Sequence, residues 1–83
     1  MATTVVHRRN RHDVYIGRGS KWGNPFRIGE HGTRDQVIAA YENYLHASGL
    51  INDVHELKDK VLGCYCSPLP CHGDVLAREA DRT

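Results

Sequence analysis

A chain of 83 residues has room for one domain (1–83) with a thin core, and scaffolds of this size commonly lean on a metal, a partner subunit or a tightly bound ligand. Its 40% hydrophobic and 25% charged residues make an ordinary globular mix, and no apolar run is long enough to span a bilayer, so a membrane partner is not expected. The net charge of +1 conceals an asymmetry: His7 to Arg34 holds seven basic residues against Asp13 and Glu30, while the remainder holds four basic and eight acidic ones.

The basic half is a candidate surface for phosphate, nucleotide or nucleic acid. A solvated face with scattered charge is the plain alternative, and a pI near 7.8 argues against general nucleic-acid binding. Met1 to His7 lacks a charged segment followed by an apolar one, so a cytoplasmic location is expected. Clustered thiols in a reducing compartment serve metals or catalysis more often than disulfides.

Thr3–His7 is a short β-prone run. His12–Gly17 places Val14 and Ile16 in alternation with Tyr15, a strand signal ended by glycine. From Gly17 to Phe26 the chain is too rich in Gly, Asn and Pro to be regular, and Trp22 and Phe26 are expected to pin it as an ordered loop. Thr33 with Gln36 makes a capping box for a long helix whose stripe is Val37, Ile38, Tyr41, Tyr44 and Leu45, ended by a left-handed Gly49. A second, shorter helix is expected with Asp53 as its cap, Glu56 at its third position, and Val54 and Leu57 on its apolar face. Val61–Cys66 is the best strand, Ser67–Pro70 breaks it, and a last helix begins near Cys71–Asp74 with Val75, Leu76 and Ala80 facing inward. The order β-β-loop-α-α-β-α predicts a small α/β domain, its sheet at least partly parallel with helices packed on it.

Chemistry concentrates at Cys64-Tyr65-Cys66-Ser67-Pro68-Leu69-Pro70-Cys71-His72. Alternation puts Cys64 and Cys66 on one strand face, and the turn can return Cys71 or His72 to them. Three thiolates and an imidazole make a tetrahedral zinc set, although Cys-x-Cys and the adjacent pair Cys71–His72 are unusual spacings. A metal-free site is the second reading. In it Cys71 is a thiolate activated by a helix N-terminus, His72 is a base or orienting group, and Asp74 is an acid, base or ribose-hydroxyl acceptor. The amides of Cys71 to Gly73 are then donors for a phosphate or carboxylate. In the third reading the cysteines are small core residues and His72 and Asp74 are local caps.

Gly17-Arg18-Gly19-Ser20-Lys21-Trp22-Gly23-Asn24 directly after a strand suits a ligand loop: glycines admit close backbone approach, and Arg18, Lys21 and Arg27 offer charge to phosphate. It is neither a Walker loop nor a dinucleotide fingerprint. A purely structural loop closed by Trp22 and Phe26 fits equally well. His7, His12, His31, His46 and His55 show no ligand spacing and read as surface residues, with His7 and His12 alone near enough to the cysteine strand to be distant candidates.

Three ordered motifs carry a resemblance: Tyr15-Ile16-Gly17-Arg18-Gly19-Ser20-Lys21-Trp22-Gly23-Asn24-Pro25-Phe26; Gly32-Thr33-Arg34 with Val37-Ile38 and Tyr41; and Cys64 through Leu76. Together they resemble domain of unknown function 4326, a small family of phages and bacteria, over about His7 to Ala80. The family often has Trp between the first two cysteines, where this chain keeps an aromatic in Tyr65. The resemblance implies a compact phage-type protein in the host cytoplasm. It transfers no activity, but it suggests that the Gly-rich loop and the Cys-His-Gly-Asp helix start form one site. Strand polarity leads to the same pairing, because ligands of open α/β sheets bind beyond the strands' carboxyl ends. The leading expectation is a nucleotide-like or other phosphate-bearing small ligand at that site, with or without catalysis. The alternatives are a module, zinc-stabilised or not, that binds a host protein, and a nucleic-acid-binding module.

Overall fold

The computed structural model describes residues 2–65, 69 and 71–82. Strands β1 (Thr4–His7) and β2 (Val14–Tyr15) both pair in parallel with β3 (Val61–Cys64), giving a three-stranded sheet of order β1-β3-β2. Thr4 to His7 stand opposite Val61 to Cys64, and Val14 and Tyr15 opposite Leu62 and Gly63. All the described strands are therefore parallel. The β2–β3 connection holds two helical segments, the long crossover that parallel pairing needs. The domain is α/β, as its order of elements predicts.

Because β1 and β2 run the same way on either side of β3, residues 8–13 must carry the chain back across the sheet. They cross at Gly63. A Cβ there would lie 2.5 Å from Cγ of His12, so the strand's central position is open only to glycine while His12 lies over it. The His12–Gly17 alternation is regular over only Val14–Tyr15, although Asp13 and Ile16 still donate to the Val61 and Gly63 carbonyls at 2.8 and 2.9 Å. Ile16 is fully buried and Tyr15 turns outward, as alternation requires.

Helix α1 (Arg34–Ala47) starts at the predicted capping box: Thr33 N donates to Gln36 Oε1 at 2.8 Å, and Gln36 N to Thr33 Oγ1 at 3.3 Å. Val37, Tyr41 and Leu45 are its buried stripe. Gly49, at φ +85°, turns the chain directly into a 3₁₀ helix (Leu50–Leu57), earlier than the cap expected at Asp53. The tighter helix still buries Val54 and Leu57, because residues three apart eclipse at three per turn. Asp53 pairs with Lys21 instead. Helix α2 (His72–Asp81) packs against β1, β3, α1 and the 3₁₀ helix, covering the sheet face onto which Leu62 and Cys64 point.

A polar clasp closes the amino-terminal edge of the sheet. Thr3 donates to Asp81 Oδ1 through its amide at 2.9 Å and its hydroxyl at 2.7 Å, and Thr3 Oγ1 accepts from Asp59 N at 3.0 Å. The two Thr3 bonds hold the Asp81 carboxyl below its ordinary value. A depressed carboxyl contributes stability that is present above its unfolded pKa and lost as pH falls through the folded one. The melting temperature of Asp81→Asn is therefore expected to fall less than the wild type's on acidification below about pH 4. Parallel acid limbs in the two melting curves would show that the clasp is not a charged one.

Gly63→Ala is expected to cost about 1–3 kcal/mol in urea unfolding by overpacking against His12. Adding His12→Ala is expected to recover most of that loss. Equal destabilisation with and without His12 would place the strain elsewhere.

Candidate functional site

Parallel pairing brings the carboxyl ends of all three strands to one edge, where the chain leaving β2 and the chain leaving β3 emerge side by side. A cleft of about 460 Å³ opens between them. Cys71 and His72 stand at the start of α2, Arg34, Val37 and Ile38 present a wall from α1, and Gly17, Arg18, Asn24, Phe26 and Ile28 come from the loop. Tyr15 and Tyr65 flank it from the strand ends. No Asp or Glu is among the described residues that line it.

The loop is built by its own backbone. Ser20 donates to the Gly17 carbonyl through its amide at 3.2 Å and its hydroxyl at 2.6 Å, and Gly23 N reaches the Ser20 carbonyl at 3.1 Å. A Cβ on Gly23 would lie 2.9 Å from the Gly17 carbonyl oxygen, so glycine lets the two ends of the turn meet. Asn24 accepts from Phe26 N at 2.9 Å and donates to the Val37 carbonyl at 3.3 Å, which ties the loop to α1. Tyr41 ties it again, donating from its buried hydroxyl to the Trp22 carbonyl at 2.8 Å. Burial raises the Tyr41 pKa well above the ordinary phenol value, so the hydroxyl stays protonated and a donor.

The same Tyr41 ring packs edge-on to His72, with centroids 4.9 Å apart. His72 Nε2 lies 2.7 Å from the Ile16 carbonyl, and because a carbonyl only accepts, Nε2 carries the proton and Nδ1 the lone pair. Among the described residues no fully buried polar side-chain atom lacks a partner, and His72 lines the cleft. Burial lowers the His72 pKa, partly offset by the Ile16 carbonyl and the charge of Asp74, which favours the neutral ring.

The structure therefore brings Gly17, Arg18, Asn24, Cys71 and His72 to one cleft. Gly19, at φ +87°, and Ser20 lie on the loop's other side, at a shallow depression of about 210 Å³ shared with Arg18 and Arg27. Lys21 is turned away, pairing with Asp53 at 3.0 Å and Glu56 at 3.6 Å with its ammonium 5.0 Å from the Trp22 ring; its charge is already matched. Trp22 is a core residue, 4% exposed. Gly73 is buried for packing: a Cβ there would lie 2.8 Å from Ile16 and 3.0 Å from Val5.

At the helix start the expected anion cradle is occupied by the chain itself. Asp74 accepts from Cys71 N at 3.1 Å, and Gly73 N donates to Cys71 Sγ at 3.3 Å, so these groups form a cap. The expectation of a Cys71 thiolate also gives way. Cys71 is buried with its sulfur 2.9 Å from that of Cys64; this contact and burial raise its pKa far above the ordinary thiol value and outweigh the Gly73 amide. Of the proposed zinc set, Cys66 lies outside the described residues and the His72 Nε2 is committed to Ile16. Among the described residues no group of three or more His, Cys, Asp or Glu side chains is placed to hold a metal.

Sequence reasoning missed Arg34, Tyr15 and Tyr65 as cleft residues and read Tyr41 only as core. The signal for Arg34 was its place directly after the Thr33 cap, which aims it along the amino-terminal end of α1.

These features define a class: a small α/β domain with a cationic, aromatic-walled cleft at the carboxyl edge of a parallel sheet. The chain belongs to the domain of unknown function family DUF4326, whose profile matches residues 2–82. It is 39% identical over 82 residues to uncharacterized protein R718 of Acanthamoeba polyphaga mimivirus, covering 77% of this chain and 63% of that protein. It is 38% identical over 76 residues to an uncharacterized 12.4 kDa protein from the nrdA-td intergenic region of Enterobacteria phage T4, covering 84% of this chain and 68% of that protein. The chain thus spans about two thirds of the length of these viral relatives. No solved structure matches it. No helix among the described residues is long and apolar enough to cross a membrane.

In a Cys66→Ser variant, the two remaining thiols are expected to react with a thiol reagent at pH 7 about 100-fold or more slowly than in the unfolded chain. A fast-reacting thiol in that folded variant would restore the nucleophile reading of Cys71.

Proposed function

We propose that this domain binds a nucleotide-like, phosphate-bearing small ligand in the cleft between the Gly17–Phe26 loop, α1 and the start of α2. The observation that supports this most is the composition of the cleft: Arg18 and Arg34 in a lining without carboxylates, beside Tyr15, Phe26 and Tyr65. Guanidinium groups suit phosphate oxygens bidentately, and the aromatic side chains suit a base or similar flat ring. The His72 imidazole is the polar ring on the lining that suits a base edge or sugar hydroxyl, while Asn24 is engaged on Phe26 and Val37. The volume lies in the range of small-molecule sites. In this reading the phosphate contacts come from the first loop and α1. Asp74 and the amides around Cys71 serve the helix cap. Of the three groups considered for catalysis, Asp74 serves the helix cap and Cys71 is held as a thiol, so the reading is one of binding, with any acid–base step resting on the His72 imidazole.

A protein-docking face is the second reading, favoured by one observation. Among the described residues, three of the four exposed large hydrophobic ones, Tyr15, Ile28 and Tyr65, line this cleft, and the fourth, Leu69, belongs to the β3–α2 connection that carries Tyr65.

The test is thermal shift and calorimetry with the nucleoside 5′-monophosphates and with inorganic phosphate. At least one nucleotide is expected to raise the melting temperature, and Arg18→Ala to weaken it about 10- to 100-fold, the value of a lost charged hydrogen bond, without altering the unliganded fold. No shift with any nucleotide, or wild-type binding by Arg18→Ala, would overturn the reading and leave the docking face.

A further inference from the structure

Six of the eight arginines of this domain fall into two populations. Arg78 pairs with Glu42 and Glu79, and Arg82 with Glu79, on the helical side of the molecule. Among the described residues Arg8, Arg9, Arg11 and Arg18 have no carboxylate partner. The first three belong to the short connection that recrosses the sheet. That connection is seated on the cleft's own tyrosines. The Arg8 guanidinium lies 4.8 Å from the centre of the Tyr65 ring and His7 5.7 Å from it, while His12 lies 6.4 Å from Tyr15. Arg8 N donates to the Cys64 carbonyl at 2.8 Å, which fixes the start of the connection at the same carboxyl edge as the cleft. Asp13, the acidic residue that follows, is engaged on Val61 N at the opposite edge. A row of unpaired arginines therefore continues outward from a cationic cleft, with an aromatic side chain at the junction.

A mononucleotide needs only the cleft, whereas a row of cations leading away from it matches a chain of phosphates. We propose that the cleft takes one nucleotide of a single-stranded nucleic acid, with the neighbouring phosphates running over Arg8, Arg9 and Arg11 and a flanking base on Tyr65. This deepens the nucleotide reading and rests on it. The small net charge is no obstacle, because six of the ten acids sit elsewhere: Asp53 and Glu56 on Lys21, Glu79 on α2, and Asp13, Asp59 and Asp81 at the amino-terminal edge.

The experiment compares fluorescent single-stranded DNA and RNA of mixed sequence, about twelve nucleotides long, with the corresponding mononucleotides over a salt series. The strand is expected to bind at least about tenfold tighter than any mononucleotide at low salt. Replacing Arg8, Arg9 and Arg11 together by Ala should remove that advantage and flatten the slope of log affinity against log salt by about 2, at about 0.7 per phosphate contact. The double variant Arg9→Ala/Arg11→Ala, which keeps the Arg8–Tyr65 contact, should show most of the same loss while mononucleotide shifts stay unchanged. Arg18→Ala should weaken strand and mononucleotide alike. If mononucleotides bind through Arg18 but the strand binds no better, the inference fails and the nucleotide reading stands. If nothing binds, both fail. Strand binding that is indifferent to Arg18, or to the three arginines, overturns the proposed path.

Discussion

The ladder that β3 forms on both sides, to β1 through Thr4–His7 and to β2 through Val14–Tyr15, is the constraint from which the rest of the domain follows. A late segment is inserted between two early ones, and both run parallel to it. Parallel strands place their outgoing loops at one edge, and the Gly-rich loop after β2 and the cysteine-bearing connection after β3 are among them. The same insertion forces the chain to recross the sheet in six residues, which demands Gly63 under His12 and leaves the arginines of that crossing on the surface. Cleft, crossing and basic row are consequences of a single pairing decision.

Within that frame Tyr41 couples two parts that the sheet alone does not hold. Its hydroxyl fixes the Trp22 carbonyl and its ring backs His72, so one core side chain of α1 registers the loop against the start of α2. His72 in turn returns to the Ile16 carbonyl at the end of β2. The result is a closed circuit of short contacts, loop to α1 to α2 to β2, around the back of the cleft. Buried polar contacts of this kind are worth little net stability each but are costly to leave unmade, so they specify an arrangement more than they strengthen it.

What was legible in the sequence was whatever depends on local pattern. The Thr33 and Gln36 capping box, the Val37–Tyr41–Leu45 stripe, the left-handed Gly49 and the start of α2 near Cys71 depend on spacings of three and four, and the structure has them. The parallel sheet followed from element order. What was not legible depends on partners distant in the chain. Lys21 reads as a phosphate ligand until Asp53 and Glu56 fold back to meet it. Cys71 reads as an activated thiol until Cys64, seven residues earlier, buries it. The Gly73 amide reads as a donor to a phosphate or carboxylate until Cys71 Sγ accepts from it. In each case the helix-terminal or loop chemistry was correctly seen, and a contact within the fold had already used it.

The distribution of unmatched charge then bears on why the domain tolerates its own cleft. Arg18 has no carboxylate partner among the described residues and lines the same cleft as Arg34, and like charges drawn to one cleft cost stability in a protein whose thin core has little to spare. The chain neutralises cations readily elsewhere, at Lys21, Arg78 and Arg82, so an acid near Arg18 would have been an available solution. Residues that break a local rule without compensation inside the fold are expected at functional sites. An anionic ligand would supply the missing charge from outside, and by binding the folded form alone it would also stabilise the loop, α1 and α2 in the arrangement that Tyr41 specifies. Binding and completion of the fold would then be the same electrostatic event seen from two sides.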